Sequence, residues 1–273
     1  MTKTIAVHGA TGSQGESIAA AFVAAGHVVR PLTRSTGADL LDRASLEAAY
    51  AGADAVVLTL PLVYDERAPR MASNAARAAE AAGVRQLVLN TGGPIAPVRT
   101  GVPFLDARVI AAEADVPLVT VLAPTTYLEN LSAPWSTIGA GVIAYPVPAV
   151  VPMAWLATAD VGLAAVRAVD GEVAGVFALP GNTYTGDALA GELGEALGLT
   201  LRWELITPGE FGERLRPHLG DHAADGTAAV YEMLASAPPA PAPDPRPAID
   251  ALGWEPRSAG EWAASIAWPL ERV

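Results

Sequence analysis

The stretch AVHGATGSQGES carries Gly9, Gly12 and Gly15, three glycines at three-residue intervals. Such spacing lets a backbone approach a pyrophosphate, provided a helix starts directly behind it with its N–H groups and partial positive charge facing the ligand. Thr11, Ser13 and Gln14 place hydroxyl and amide groups in the same loop. The competing reading is a tight turn with no ligand. Arg34 closes the next apolar run, where an NAD site has an acid that binds the ribose. An arginine there suits the 2′-phosphate of NADP, because its planar fork grips phosphate bidentately. NADP(H) is therefore expected over NAD(H), with a solvated surface arginine as the alternative. Thr33 and Ser35 offer further hydroxyl contacts.

Proton transfer needs other groups. Tyr127, in TTYLEN, is the first candidate acid; its alternative is an aromatic packed against the rest of the chain. Thr91 either hydrogen-bonds a substrate carbonyl or caps the turn behind it. His8 falls in the first strand end and reads as structural. His218 and His222 have i,i+4 spacing, but Gly220 lies between them and no third ligand is evident, so no metal is expected. Either histidine can still serve a cleft as acid or base. Residues 130–159 carry no charge and include Trp135, Tyr145 and Trp155. With Tyr64, Tyr127, Asn130 and His218 these make the expected substrate pocket; core covering is the even alternative.

These residues need a frame, and the periodicities give one. TIAVHG is a β-branched strand, and SQGESIAAAFVAAGH places Ile18, Ala21, Phe22 and Ala25 on one helical face. Ser13 and Glu16 have capping-box spacing, which predicts the helix start. HVVRPLTRS is a second strand despite Pro31. Helices in ASLEAAYAG, ERAPRMASNAARAAEAAG and LDARVIAAEA alternate with strands in DAVVLTLPL, VRQLVLNTGG and PLVTVLAP. That alternation predicts an α/β fold: a Rossmann-type parallel sheet with helices on both faces, plus a smaller C-terminal α+β lobe. The expected division is 1–131 and 132–273, with parts of 155–180 packing back on the sheet. Ligands bind at the carboxyl ends of such strands, which adds Leu60, Pro61, Asn90 and Thr91 to the cofactor side. TPGE and SAGE predict two more capping boxes, and PPAPAPDPRP, residues 238–247, reads as a polyproline II linker.

Bulk composition excludes several classes. The 273-residue chain has no cysteine, so disulfides and thiol nucleophiles are out. Its net charge of −12 argues against nucleic acid as a partner. Four prolines, Pro134, Pro146, Pro148 and Pro152, interrupt the uncharged segment, so it does not read as a membrane helix. The opening MTKTIAVHG lacks a signal-peptide pattern, and the expectation is a cytoplasmic monomer or homodimer acting on a small molecule.

The ordered set GATGSQG, LTR, GADAVVLTLP, AAEAAGVRQLVLNT, VLAPTTYLENL, ATADVGLAAVRAV and TPGEFGERL resembles the NmrA-like branch of the atypical short-chain dehydrogenase/reductases, across nearly the whole chain. That resemblance implies a Rossmann domain with a small C-terminal lobe, and NADP(H) between them. Two departures stand out. STGADLLD leaves little room for the helix and third strand the family usually has, so an open adenine side is expected. Related reductases also use a lysine before the fifth strand, or a Tyr-x-x-x-Lys pair. This chain has one lysine, Lys3, at the opposite end of the first strand, and FLDARVIAAEA offers Arg108 instead. Arginine stays charged and is a poor proton relay; its plain reading is a solvated helix residue. The expected function is an NADPH-dependent oxidoreductase for a small, mostly apolar carbonyl or conjugated substrate. The alternatives are a non-catalytic NADP(H)-sensing protein and a redox-neutral catalyst in the same cleft.

Overall fold

The computed structural model describes residues 1–236 and 243–268. In chain order the elements open with β1 (Thr4–His8), α1 (Ser13–Ala24), β2 (Val28–Leu32), α2 (Arg43–Tyr50) and β3 (Ala55–Thr59). They continue with α3 (Arg67–Ala81), β4 (Gln86–Asn90), α4 (Pro103–Ala112), β5 (Leu118–Pro124) and β6 (Thr126–Tyr127). Next come β7 (Val142–Tyr145), β8 (Met153–Leu156), α5 (Thr158–Asp170), β9 (Gly175–Leu179) and β10 (Asn182–Tyr184). The remainder is α6 (Gly186–Leu197), β11 (Arg202–Leu205), α7 (Pro208–Leu219), α8 (Asp221–Ser236), α9 (Arg246–Leu252) and α10 (Ala259–Ser265).

The chain folds as two units. The first holds Met1–Thr125, Thr158–Leu179 and Asp244–Glu255; the second holds Thr126–Ala157, Pro180–Pro243 and Pro256–Val273. The sequence reading set a boundary at 131/132 with parts of 155–180 returning to the sheet; the chain changes unit at 125/126, 157/158, 179/180, 243/244 and 255/256, with Thr158–Leu179 in the first unit.

In the first unit six strands form one sheet in the order β2-β1-β3-β4-β5-β9, every pairing parallel. Apolar residues run almost unbroken along β1, β3, β4 and β5 because both faces are covered. Ala6, Val56, Leu58, Leu87, Leu89 and Val121 share a core with Leu46 and Tyr50 of α2 and the alanines of α3 and α4. Their neighbours Ile5, Val7, Val57 and Val88 are equally buried and point the other way, as strand alternation requires. Helices α1 and α5 pack together, with Ser17 and Thr158 hydrogen-bonded at 2.7 Å. Pro31 costs no ladder bond because β2 is an edge strand. The usual outer third strand is absent, as the short Arg34–Asp42 segment implied.

The second unit has a three-stranded sheet, β10-β8-β6, and a parallel pair, β11-β7. Its core gathers Leu128, Leu131, Tyr145, Trp155, Leu189 and Trp262, among others. The predicted capping boxes form at Thr207–Glu210 and Ser258–Glu261. Two expectations need correction. No Ser13–Glu16 box forms, because Gly12 is the N-cap of α1 and Ser13 is already helical. Arg246 and Pro247 begin helix α9 rather than ending an extended linker; of that linker, 238–242 lie outside the described residues. No helix among the described residues is long and apolar enough to cross a membrane.

Candidate functional site

The first unit holds a cleft of about 620 Å³ at the carboxyl ends of its central strands. The glycine loop forms one side. Gly9 has φ of +67°, a conformation that side chains avoid, and it turns the chain sharply off β1. The Gly9 N–H donates to Leu32 O at 3.0 Å, and the Gly12 N–H returns to Gly9 O at 2.8 Å. A Cβ on Gly15 would stand 2.1 Å from Gly9 O, so only glycine lets α1 start this close to the loop. Gly12 is different. A Cβ there meets Gly9 O at an ordinary 3.4 Å, and its backbone is extended. No side chain caps α1, and a helix N-terminus of this kind carries a partial positive charge that favours an anion. This is a cradle built for an anion, and a pyrophosphate fits its donor set.

Gly9, Gly12, Gly15, Thr11, Ser13 and Gln14 all line the cleft. Gln14 is held from below: Asn90 Nδ2 donates to Gln14 Oε1 at 2.9 Å, while Asn90 Oδ1 accepts from the Gly92 N–H at 3.2 Å. Asn90 itself is buried and does not line the cleft, so its expected direct contact with a cofactor becomes a supporting one. Leu60, Pro61 and Tyr64 line the cleft from the segment after β3.

Arg34 opens a short 3₁₀ turn, Arg34–Thr36, and is exposed at the cleft. Thr33 caps that turn in a box with Thr36, and its hydroxyl lies 2.8 Å from Ser35 Oγ. Beside Arg34, where the sequence led to an open side, Ala38, Asp39, Leu40 and Leu41 line the cleft. Asn74 fixes this wall by donating to Leu40 O at 3.0 Å.

Thr91 lines the cleft, and its hydroxyl lies within hydrogen-bond reach of the Gly93 and Leu122 carbonyl oxygens. That is the turn-capping arrangement; a single hydroxyl proton cannot serve those carbonyls and a substrate together. His8 sits under the loop, 3% exposed, with Nε2 2.6 Å from the Tyr50 hydroxyl. Burial pushes the His8 pKa down to about 4, so the ring is neutral, and burial also raises the Tyr50 phenol. Lys3 directly precedes β1, at the end of the strand opposite the cleft, and donates Nζ to Val169 O.

Several lining residues were missed in the sequence. Asp39, Arg67, Met71 and Phe104 belong to the turn after β2 or to the starts of α3 and α4. The rule that strand carboxyl ends bind ligands extends to the first turns of the helices that follow, and that signal was available. Arg108 of α4, read as either a lysine substitute or a solvated residue, lines the cleft; its Nη1 donates to Pro94 O at 2.7 Å.

The other expected residues lie in the second unit. Tyr127 is 7% exposed in β6, paired to β8. Tyr145 and Trp155, expected in a substrate pocket, are 2% and 1% exposed, with ring centroids 5.1 Å apart. Tyr145 also packs against Trp203, Phe211 and Tyr231, so this is filled core and not a pocket wall. Asn130 hydrogen-bonds the Tyr145 hydroxyl, whose pKa burial raises to about 12. Trp135 is half-buried, with its ring centroid 5.9 Å from that of exposed His218. His218 ends α7 and His222 starts α8, so their i,i+4 spacing does not fall on one helix. Among the described residues no group of three or more His, Cys, Asp or Glu is placed to hold a metal ion.

Several solved structures share this fold. A nucleoside-diphosphate-sugar epimerase from Staphylococcus aureus is 17% identical, with TM-score 0.71, covering 97% of this chain and 100% of that one. An NADPH-dependent quinone oxidoreductase from Escherichia coli, complexed with NADPH, is 22% identical, with TM-score 0.66 over 95% and 98%. NmrA, a negative transcriptional regulator solved in complex with NAD, is 19% identical, with TM-score 0.65 over 97% and 95%. No curated protein matches the chain. The family pattern that does match spans residues 1–236, and the chain belongs to the NmrA-like family.

Proposed function

We propose that the chain binds NADP(H) and acts as an oxidoreductase on a small, mostly apolar carbonyl or conjugated compound. One observation carries the cofactor half: the uncapped first turn of α1 and the Arg34 guanidinium open on the same cleft. The first turn suits the pyrophosphate, and Arg34 suits the 2′-phosphate. Thr33 and Ser35 add hydroxyls at the same corner. NADPH-dependent reductases among the proteins of similar fold support this reading.

When bound, a reduced nicotinamide supplies hydride; the chain must orient the partner and provide a proton. Thr91 is committed to backbone carbonyls and His8 is neutral and buried, so neither fits the role of acid. Tyr127, the acid expected from the sequence, belongs to the second unit, is 7% exposed and does not line the cleft, so in this reading water supplies the proton. A second reading, a dinucleotide sensor without turnover, is favoured by Arg108: where related reductases carry a lysine, this helix carries a group that does not relay protons.

The experiment is a calorimetric titration of the chain and of Arg34→Ala with NADPH and NADH, followed by a spectrophotometric screen for NADPH oxidation on a panel of carbonyl and quinone compounds. NADPH should bind at least about tenfold tighter than NADH, and the variant should lose most of that preference, since a charge-assisted bond contributes about 1.5–3 kcal/mol. Equal affinities in the unaltered chain overturn the cofactor assignment.

A further inference from the structure

We propose that Tyr64, Phe104 and Arg108 form a subsite for a flat, conjugated substrate that carries a delocalised oxyanion such as a carboxylate. The proposal rests on the dinucleotide reading above, which gives the Arg34 side of the cleft to the cofactor's 2′-phosphate.

All three residues line the cleft. The Tyr64 and Phe104 rings meet edge to face, with centroids 5.1 Å apart at 62°. The Arg108 Cζ lies 5.2 Å from the Phe104 centroid. The guanidinium is oriented before any ligand arrives. Its Nη1 holds Pro94 O at 2.7 Å, and a Cβ on Gly93 would stand 3.2 Å from Nη2. Glycine at 93 thus lets the plane lie against the loop. An oriented guanidinium loses little freedom on binding, and its fork matches a carboxylate. The adjoining rings offer an aromatic wall on which a conjugated system packs.

Position separates this group from Arg34. In the sheet, β1 and β3 lie between β2 and β4. Three strand steps at about 4.8 Å put these ends roughly 14 Å apart. Helix α4 packs against β4 and β5, at the side away from Arg34.

Charge points to an anion. The chain carries a net charge of −12, yet the charged residues lining this cleft are Arg34, Arg67, Arg108 and Asp39. Arg67 is gripped by Asp65 through bonds of 2.9 Å at Nε and Nη2. Arg34 is assigned to the cofactor. Arg108 lines the cleft with its guanidinium on the Pro94 carbonyl and beside the Phe104 ring, contacts with which a bound carboxylate is compatible.

The test is a calorimetric titration of the full chain, with and without excess NADP⁺, using 2-naphthoate and its neutral isostere 2-naphthamide. Naphthoate should bind at least about tenfold tighter, the ratio a single charge-assisted hydrogen bond gives. Arg108→Gln should bring the two probes within about twofold of each other, Arg108→Lys should restore part of the preference, and Phe104→Leu should weaken both probes alike. Equal binding of the two probes to the unaltered chain, binding of neither, or a preference that survives Arg108→Gln in a variant that melts normally overturns the subsite. NADPH titration of the unaltered chain runs alongside. A chain that prefers naphthoate without binding NADPH overturns the dinucleotide reading and supports the subsite; one that binds NADPH and neither probe overturns the subsite alone.

Discussion

Gly12 and Gly15 look equivalent in the sequence, but the structure assigns them different jobs, and Gly12→Thr separates those jobs. At Gly12 the backbone is extended, φ −100° and ψ 161°, and a Cβ meets Gly9 O at 3.4 Å, so threonine fits without moving the loop. Threonine and glycine are similar as N-caps, differing by a few tenths of a kcal/mol, so the fold should keep its stability. In the proposed binding mode, however, the new side chain competes with the pyrophosphate for the first turn of α1. Losing two charge-assisted bonds, at about 1.5–3 kcal/mol each, amounts to roughly 3–6 kcal/mol. NADPH affinity should therefore fall by at least about a hundredfold. Gly15→Ala should do the reverse in order of cause. Its Cβ would lie 2.1 Å from Gly9 O and 2.4 Å from Gly9 C, so the loop must open. Overpacking of this kind costs about 1–3 kcal/mol, a drop of roughly 2–12 °C in melting temperature for a unit of this size. Calorimetry gives affinity and circular dichroism gives melting. A Gly12→Thr variant that melts normally and still binds NADPH within about threefold of the unaltered chain would show that α1 does not carry the pyrophosphate.

Other outcomes follow from the same residues. Tyr127→Phe removes only a hydroxyl outside the cleft lining; with a substrate in hand, turnover should stay within about twofold, and a drop of about 10²-fold with unchanged NADPH affinity would make this residue the acid after all. His8 makes stability depend on pH. Its folded pKa, about 4, lies below the unfolded value of 6.5, so the folded state resists protonation. Its contribution is complete above pH 6.5 and is lost as pH falls toward 4, on the order of 3 kcal/mol in total. Urea melts between pH 7 and pH 4.5 should show a decline that is much shallower in His8→Gln; parallel profiles would refute the assignment. Arg34→Ala should erase the NADPH preference in the titration described above.

Much of the first unit was legible in the sequence because local signals there are strong and agree. Strands such as β3 and β4 are buried on both faces and read as apolar runs, and Gly26 and Gly83 mark the ends of α1 and α3 with positive φ. The cap of α1 was misread because Ser13 and Glu16 carry the right spacing, while the decision between Gly12 and Ser13 depends on how closely Gly15 lets the helix approach Gly9 O. The aromatic residues of 130–159 read equally as pocket wall or as core, since hydrophobicity is the same in both. Only the presence of Trp203, Phe211 and Tyr231 around Tyr145 makes it core.

By itself the sequence determined the strand–glycine loop–helix unit, the alternation that forces a parallel sheet, and the arginine at the end of β2. These depend on neighbours within a few residues, where backbone sterics and periodicity act directly. The tertiary structure alone decided what meets across long chain distances. It set Asn90 beneath Gln14, 76 residues apart in the chain, and His8 beside Tyr50, 42 apart. It joined Tyr64 to Phe104 and Arg108 in one wall and set Ala38–Leu41 along the cleft beside Arg34. The physical reason is that packing and hydrogen-bond satisfaction act on distance in space, and strand order, which brings β4 beside β3 and puts β2 at the edge, is a property of the whole sheet and of no single segment.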